Sequence, residues 1–195
     1  MRLTIASTNS HKIGEITSII SKLLPAGCQL KGLEPGTMDP EETGATFAQN
    51  ALIKAHYYAQ LTGHISLSDD SGLCVDALDG APGIYSNRYA PTDKARIARL
   101  LSELDAAEAE ALHNRTARFV CAAALAWPDG RSVTAEGVLE GLIAREPSGS
   151  DGFGYDPVFY LPDRGLTVAQ LSPTDKNAIS HRSLALQRIA TFVSK

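Results

Sequence analysis

Short continuous runs of apolar residues alternate with helically spaced ones along the first third of the chain. Leu3 to Ser7 predicts a buried strand, after which isoleucine and leucine recur at helical intervals from Ile13 to Leu24. This spacing puts them on one face of a helix. Gln29 to Leu33 predicts a second short strand, which leads into the glycine- and proline-rich loop GLEPGTMDPEETG. The chain therefore begins as strand, helix and strand.

A second helix is predicted in the segment TFAQNALIKAHYYAQLTG. Thr46 can cap its start, Gly63 can end it, and its apolar face is formed by Phe47, Ala51, Ala55 and Tyr58. His64 to Ser68 predicts a third strand, which runs into DDSG. The polar character of DDSG predicts that the strand ends there.

The second half of the chain continues the mixture of helices and strands. Thr92 can cap a helix that ends within DAAEAEALHN. Two strand-like runs follow, Arg118 to Trp127 and SVTAEGVLEGLIA, and the turn PDG between them predicts an antiparallel hairpin. Ser172 and Pro173 can start a last helical segment, with a break expected near Ser180. The pattern favours an α/β or α+β fold with a twisted mixed sheet. No repeat or linker marks a boundary, so residues 1–195 are interpreted as a single domain.

Composition narrows the function classes. The 195 residues are 44% hydrophobic and 21% charged, which is typical of a globular chain, and the net charge of -4 argues against a general nucleic-acid coat. The three cysteines form no CxxC pair and are expected to be buried free thiols. MRLTIAS is too short for a signal peptide, and no apolar run approaches the roughly 20 residues that span a bilayer. We therefore expect a cytoplasmic protein that binds no membrane.

The stretch ASTNSHK, residues 6 to 12, lies between the first strand and the first helix. Asn9 or Ser10 could be a simple helix N-cap. Alternatively, the free backbone amides and the positive end of the helix dipole, together with Lys12, could bind an anion. The residues alone leave both interpretations open.

Carboxylates are concentrated in two segments. SDDSG contains Asp69 and Asp70, which as adjacent strand residues face opposite sides. The loop GLEPGTMDPEETG, called the acidic loop below, contains Glu42. Together they could supply the oxygen ligands that Mg²⁺ prefers. The alternatives are acids that cap a turn and a solvated acidic loop. HExxH, GxSxG and Walker A motifs do not occur in the sequence.

Two further segments are candidates for recognising a base. In SGSDGFGYDPVF, glycines flank Phe153, whose ring could stack on a base, although a tight surface loop is the alternative. KNAISHR brings the donors Lys176, His181 and Arg182 to the last helical segment, where the alternative is an exposed basic helix end. Phosphate donors, metal-binding acids, a stacking ring and donors for a base edge are together the components of a nucleoside triphosphate site.

The motifs STNSHK, EETGATFAQNALIKA, DDSGLCVDALDGAPGIYSNRYA, GFGYDPVF and KNAISHR stand in the same order as in a known family. The chain resembles the inosine/xanthosine triphosphate pyrophosphatases. The resemblance implies a two-lobed mixed α/β fold with an elongated twisted sheet and a cleft between the lobes. It also implies a homodimer that uses Mg²⁺ to convert ITP, dITP and XTP to the monophosphate and pyrophosphate, clearing the nucleotide pool.

The resemblance also implies a role for each matching residue. Glu42 and Asp70 would bind the metal, Asp70 would accept a proton from the attacking water with Asp69 nearby, and Lys54 would contact phosphate. The substrate-binding residues would be Ser7, Thr8, Asn9, Ser10, His11 and Lys12 for the triphosphate, Ser71, then Phe153, Gly154, Tyr155 and Asp156 around the base, and Lys176, His181 and Arg182 at its edge.

Three segments depart from the family pattern. STN stands where TGN is frequent, SNRYAP where SARYAG is usual and VAQL where AEL is usual. Thr8 replaces a residue that is free to adopt positive φ, so the phosphate turn could differ in backbone conformation. Two other functions stay open: a related pyrophosphatase for pyrimidine or methylated nucleotides, and a nucleotide sensor without catalysis.

Overall fold

The computed structural model describes residues 1–34, 36–107 and 114–193. Within them the strands are β1 (Arg2–Ile5), β2 (Gln29–Lys31), β3 (Ile65–Val75), β4 (Thr116–Ala126), β5 (Ser132–Ile143), β6 (Phe159–Leu161) and β7 (Leu166–Thr167). They form one open sheet in the order β2-β1-β3-β4-β5-β6-β7. β1 is parallel to β2 and β3, whereas β6 is antiparallel to β5 and β7. The predicted mixed α/β class is confirmed.

The helices are α1 (Ser10–Ile20), α2 (Phe47–Thr62), α3 (Asp93–Ala106), α4 (Pro173–Ile179) and α5 (His181–Ala190). Thr46 and Thr92 cap α2 and α3 as predicted, each with a side chain that accepts a backbone amide three residues on. The predicted start of the last segment is also confirmed, because the Ser172 hydroxyl accepts from the amide of Asp175 at 3.1 Å. Ser180 caps α5, which confirms the predicted break.

The boundaries of α1 were predicted wrongly. The helix begins at Ser10 rather than Ile13, because the Asn9 side chain accepts from the amide of Lys12 at 3.1 Å and so satisfies the first turn. It ends at Ile20 rather than Leu24. Pro25 follows and disfavours helical conformation in the residue before it. The predicted end of α3 falls partly on residues 108–113, which lie outside the described part.

Strand β3 is longer than predicted. The strand does not end at Ser68 but continues through Asp69, Asp70 and Ser71 to Val75. Asp69 and Asp70 stay in the sheet because each is buried against charged or amide side chains rather than water. The hairpin prediction is confirmed: β4 and β5 are neighbours, joined by a turn in which the amide of Trp127 donates to the carbonyl of Arg131 at 2.9 Å.

The chain divides into two compact units. The first comprises Met1–Asp70, Cys121–Gly137 and Ser180–Lys195. On one face of its strands, α1 and α5 pack through Ile16, Ile20, Leu186 and Ile189 onto Leu3, Ile5 and Leu67. On the other face, α2 packs through Ala51, Ala55 and Ala59 onto Ala122, Ala124 and Ala126 of β4. This second contact is made by alanines.

The second unit comprises Ser71–Val120 and Val138–Ile179. Its core contains Leu100 and Leu104 of α3 together with aromatic residues from the sheet. The rings of Phe119 and Phe159 stack with centroids 4.3 Å apart. Residues 148–158, which contain the glycine-rich segment, lie in this unit.

Two sequence-level expectations concern cysteines and membranes. All three cysteines are free, as predicted, but only Cys121 is buried, whereas Cys28 and Cys74 are half-buried. Over the described ranges, none of the helices has both the length and the apolar character needed to span a bilayer.

Candidate active site

Asp69 and Asp70 face opposite sides of β3 and have different partners. Asp69 is 1% exposed and lies on the side of α1 and α5. Its Oδ2 is 3.3 Å from Nζ of Lys12 and accepts from Nε and Nη2 of Arg182, both at 3.1 Å. The carboxylate of Asp69 is thus held between two cations from two helices.

Asp70 lies on the side of α2. Its Oδ2 accepts from Nδ2 of Asn50 at 3.2 Å, and its Oδ1 is 3.9 Å from Nζ of Lys54. The same Nζ lies 2.7 Å from Oε1 of Glu42. Lys54 therefore bridges the two carboxylates that were predicted to bind metal.

Electrostatics separates the two aspartates. Burial raises the pKa of Asp69, but the combined charges of Lys12, Arg182 and Lys54 outweigh burial and hold it well below its usual range. Burial also raises the pKa of Asp70, and there the opposing effect of Lys54 and Lys12 is too small to reverse it. Asp69 is consequently a fixed anion, while Asp70 is the carboxylate with greater affinity for a proton.

Lys54 remains a cation at this position. Burial lowers its pKa, and the carboxylates of Asp69, Asp70 and Glu42 more than compensate, so the pKa of Lys54 lies above its usual value. A buried ammonium group beside a carboxylate pair can bind an anionic ligand such as phosphate.

The segment from Ser7 to Lys12 forms the N-terminus of α1. The hydroxyl of Ser7 accepts from the amide of Asn9 at 3.2 Å, and Asn9 caps the helix. The interpretation as an N-cap is therefore confirmed. Binding of an anion is compatible with it, because the helix dipole and Lys12 lie at the same end. Ser10 and His11 are exposed in the first turn.

Thr8 makes a contact that glycine could not make. Its hydroxyl donates to one oxygen of Asp39, whose other oxygen accepts from the hydroxyl of Tyr58 at 2.7 Å. Tyr58 is 0% exposed, which anchors this link in α2. The departure STN thus ties the turn before α1 to the loop that contains Asp39, and Thr8 does so without a positive φ.

The glycine-rich loop of the second unit is organised around Asp156. Its Oδ2 accepts from the amide of Phe153 at 2.9 Å and from Nζ of Lys176 at 2.6 Å. That Nζ is 4.6 Å from the centroid of the Phe153 ring. Gly152 has φ of 77°, and a Cβ there would come within 2.1 Å of Asp156 Oδ2, so only glycine fits.

Other contacts fix the same loop from outside. The amide of Gly154 donates to Oδ2 of Asp93 at 2.7 Å, and the hydroxyl of Tyr155 donates to the carbonyl of Ser86 at 2.9 Å. The loop therefore presents Phe153, half-buried, from a backbone held at several points. A half-buried ring in a rigid loop is suited to stacking on a base.

Lys176, His181 and Arg182 do not share one environment. Lys176 pairs with Asp156 in the second unit, whereas His181 and Arg182 begin α5 in the first. Arg182 is 1% exposed and donates to carboxylates of Asp69 and Glu15. Two carboxylates hold its guanidinium, so Arg182 orients Asp69 in this structure, and its predicted contact with the base stays a prediction.

Asn50 is the functional candidate that the sequence analysis missed. It is 0% exposed and contacts Asp70 directly. Asn50, Lys54 and Tyr58 recur every four residues on α2 and are all buried, among alanines. That polar stripe within an apolar helix face was the available signal.

Two carboxylates of this site are candidate ligands for Mg²⁺. In residues 1–34, 36–107 and 114–193, no group of three or more histidine, cysteine or acidic side chains is arranged to hold a metal. Asp69, one of the three acids considered, is held by cations instead. Glu42 and Asp70 remain, and two carboxylates suffice for Mg²⁺ when substrate phosphates and water complete its ligands. The residues present therefore fit this ion.

The fold and the site define an α/β protein with a lysine–carboxylate cluster beside a helix N-terminus, suited to a phosphate-bearing ligand. The model of the Ham1 family matches residues 3–192, and the chain belongs to this family.

Relatives match over nearly the whole chain. A dITP/XTP pyrophosphatase of Desulforamulus reducens is 45% identical over 200 residues, covering 100% of this chain and 96% of its own. One of Geobacillus kaustophilus is 46% identical, covering 96% and 91%. Among solved structures, a HAM1 protein from Coxiella burnetii has 42% identity and a TM-score of 0.89, covering 100% of this chain and 98% of that one. The Ham1 protein of Staphylococcus aureus has 38% identity and a TM-score of 0.84 over the same shares.

Proposed function

We propose that the protein hydrolyses non-standard purine nucleoside triphosphates (ITP, dITP and XTP) to the monophosphate and pyrophosphate. Full-length relatives bear the name dITP/XTP pyrophosphatase. The observation that carries the proposal is the contact of Lys54 with both Glu42 and Asp70, next to a helix N-terminus that can bind phosphate. Hydrolysis of a phosphoanhydride needs cations that stabilise the phosphate charge and a group that orients water, and these residues can supply both.

Each residue has a place in the reaction. Lys12, Lys54 and the amides at the start of α1 bind the triphosphate and stabilise the charge that grows on the departing pyrophosphate. Asp70 orients the attacking water and accepts its proton, for which a raised pKa is an advantage. Glu42 and Asp70 would hold Mg²⁺, which supplies charge neutralisation and acidifies water when bound. Arg182 keeps Asp69 ionised and in place.

The base of the nucleotide is recognised by the glycine-rich loop and by donors of the last two helices. Phe153 stacks on it, and Gly154, Tyr155 and Asp156 complete the loop around it. Lys176 and His181 donate hydrogen bonds to its edge, and Ser71 contacts the substrate next to Asp70. The carbonyl oxygen at C6 of hypoxanthine and xanthine accepts from such donors, whereas the amino group of adenine does not.

The oligomeric state and the cellular location are proposed from the resemblance to the inosine/xanthosine triphosphate pyrophosphatases. The enzyme is a homodimer in the cytoplasm that acts on free nucleotides and needs no nucleic acid. The net charge of -4 supports the last point, since a nucleic-acid surface repels an acidic protein.

A pyrophosphate-release assay tests the proposal. The purified chain is incubated with Mg²⁺ and, separately, ITP, dITP, XTP, GTP, ATP and a pyrimidine triphosphate. We expect rapid release from the first three only. Preferential release from the pyrimidine nucleotide would assign the protein to a related pyrophosphatase class. Tight binding of ITP without release would make it a nucleotide sensor.

A further inference from the structure

Asn50 contacts Asp70 and also the loop that carries Glu42, the other carboxylate proposed to bind metal. Its Nδ2 donates to Oδ2 of Asp70 at 3.2 Å, and its Oδ1 accepts from the amide of Gly44 at 2.8 Å. Both hydrogen bonds are made by one side chain that is 0% exposed. A buried amide with its donor and its acceptor both used has one orientation.

The bond to Gly44 fixes the loop that carries Glu42. A Cβ on Gly44 would lie 2.6 Å from Oδ1 of Asn50 and 2.9 Å from its backbone nitrogen, so the loop passes directly against α2. The next amide, that of Ala45, donates to Oε1 of Gln49 at 2.7 Å. Two neighbouring side-chain amides therefore attach the loop, and only Asn50 also reaches Asp70.

The two oxygens of Asp70 have different neighbours, an ammonium group near one and a hydrogen-bonding amide at the other. Lys54 lies 3.9 Å from Oδ1, whereas the neutral amide of Asn50 donates to Oδ2. The amide of Asn50 therefore restrains one oxygen of the carboxylate through a directed hydrogen bond. Asn50 and Lys54 are four residues apart and thus on one face of α2.

We propose that Asn50 is a positioning residue that fixes both the orientation of the Asp70 carboxylate and its distance from Glu42. The proposal rests on the proposed function for the roles of these two acids. Asn50 acts through these two acids and is assigned no contact with the substrate. The competing interpretation is that Asn50 serves folding alone, by satisfying the amide of Gly44.

Three variants separate these interpretations. Asn50→Ala removes both hydrogen bonds. Asn50→Asp keeps an acceptor for the amide of Gly44 and loses the donor to Asp70. Gln49→Ala is the matched control, because it removes the neighbouring attachment of the same loop but leaves Asp70 untouched.

Kinetics with ITP gives the first readout. We expect kcat to fall about 100-fold in Asn50→Ala and Asn50→Asp with KM changed less than about 3-fold, since misplacement of a reacting group costs this much. Gln49→Ala is expected to stay within about 2-fold of wild type in both constants. Wild-type kcat in Asn50→Asp, or an equal loss in Gln49→Ala, would overturn the proposal.

Metal binding gives a readout that does not depend on turnover. Mn²⁺ is titrated into the free proteins and followed by electron paramagnetic resonance. We expect affinity about 10-fold weaker in Asn50→Ala and unchanged in Gln49→Ala, as is typical when a partner of a metal ligand is removed. Unchanged affinity in Asn50→Ala would contradict the positioning role. If wild-type protein binds Mn²⁺ but leaves ITP intact, the proposed function fails while this comparison still decides the role of Asn50.

Discussion

Asp69 and Asp70 show how two identical neighbours acquire different properties. They differ only in the side of β3 on which they lie, and hence in their partners. Arg182 and Lys12 stabilise the charge of Asp69, whereas Asp70 is buried with less compensation. One residue contributes to stability and the other is available for chemistry.

The stability of two matched variants tests this difference. The pKa of Asp69 is lowered in the folded state, so its ionised form stabilises the fold above about pH 4 and the contribution is lost as pH falls towards the folded value. The pKa of Asp70 is raised, so its ionised form destabilises the fold at neutral pH. We expect Asp69→Asn to cost about 3 kcal/mol, or roughly 6 to 12 °C in Tm.

For Asp70→Asn we expect an unchanged or higher Tm at pH 7.5 and loss of turnover. Thermal unfolding followed by circular dichroism measures both variants under the same conditions. Equal destabilisation by the two substitutions would show that the environments do not differ in the way described.

Lys12 pairs with Asp69 and is predicted to contact the triphosphate when substrate binds. Its Nζ is 3.3 Å from Asp69 and 16% of its side chain is exposed, so it can reach a triphosphate at the start of α1. We expect Lys12→Ala to raise KM for ITP and to lower kcat by about 100-fold, because charge on the departing phosphates increases in the transition state. Steady-state kinetics measures both constants.

Lys22 offers the control, since it is an exposed lysine beyond the end of the same helix. Wild-type kinetics is expected for Lys22→Ala. If Lys12→Ala also behaves like wild type, the segment from Ser7 to Lys12 acts only as a helix cap.

At the scale of elements, the glycine-rich loop depends on the N-terminus of α3. Asp93 accepts from the amide of Gly154 at 2.7 Å through Oδ2 and pairs with Arg96 at 2.6 Å through Oδ1. Two successive backbone amides are therefore fixed: that of Phe153 donates to Asp156, and that of Gly154 donates to Asp93. Helix α3 contributes to the position of the ring although none of its residues is predicted to contact substrate.

Removal of that bond is expected to loosen base recognition. In Asp93→Ala we expect faster hydrogen exchange of the Gly154 amide and an ITP-to-ATP preference reduced about 10-fold, with little loss of kcat for ITP. Asp93→Asn keeps an acceptor and should stay near wild type. An unchanged preference in Asp93→Ala would contradict this dependence.

The elements also show what the sequence can and cannot predict. Caps at Thr46, Thr92 and Ser172 were predictable because they depend on neighbours within a few residues. The continuation of β3 through Asp69 and Asp70 could not be predicted. Polar residues after an apolar run indicate the end of a strand unless the groups that pair with them are known. Those partners come from residues 12, 50, 54 and 182, which only the tertiary fold brings together.

At the scale of the whole molecule, the net charge of -4 conceals a site in which cations and carboxylates alternate closely. Lys12, Lys54 and Arg182 lie among four carboxylates in the first unit. A triphosphate adds negative charge there, so divalent cation is expected to be essential for tight binding.

Rejection of ATP is predicted from the residues proposed to recognise the base. A site built for hydrogen bonds to O6 leaves its donors unmatched against adenine, which costs as much as ~10⁴-fold in kcat/KM. We expect ITP and XTP to exceed ATP by about that factor and His181→Ala to narrow the gap. Comparable kcat/KM for ATP and ITP in the wild type would contradict the predicted recognition of the base.

The contact between α2 and β4 has a consequence for how such a site can change. Alanines on both sides have no side-chain rotamers, so the contact cannot repack around a larger residue. An added methyl group at Ala55 or Ala122 must instead shift the helix as a body. The height of Asn50 and Lys54 above the sheet is therefore set by a layer of methyl groups, and we expect a larger residue in that layer to displace both side chains together.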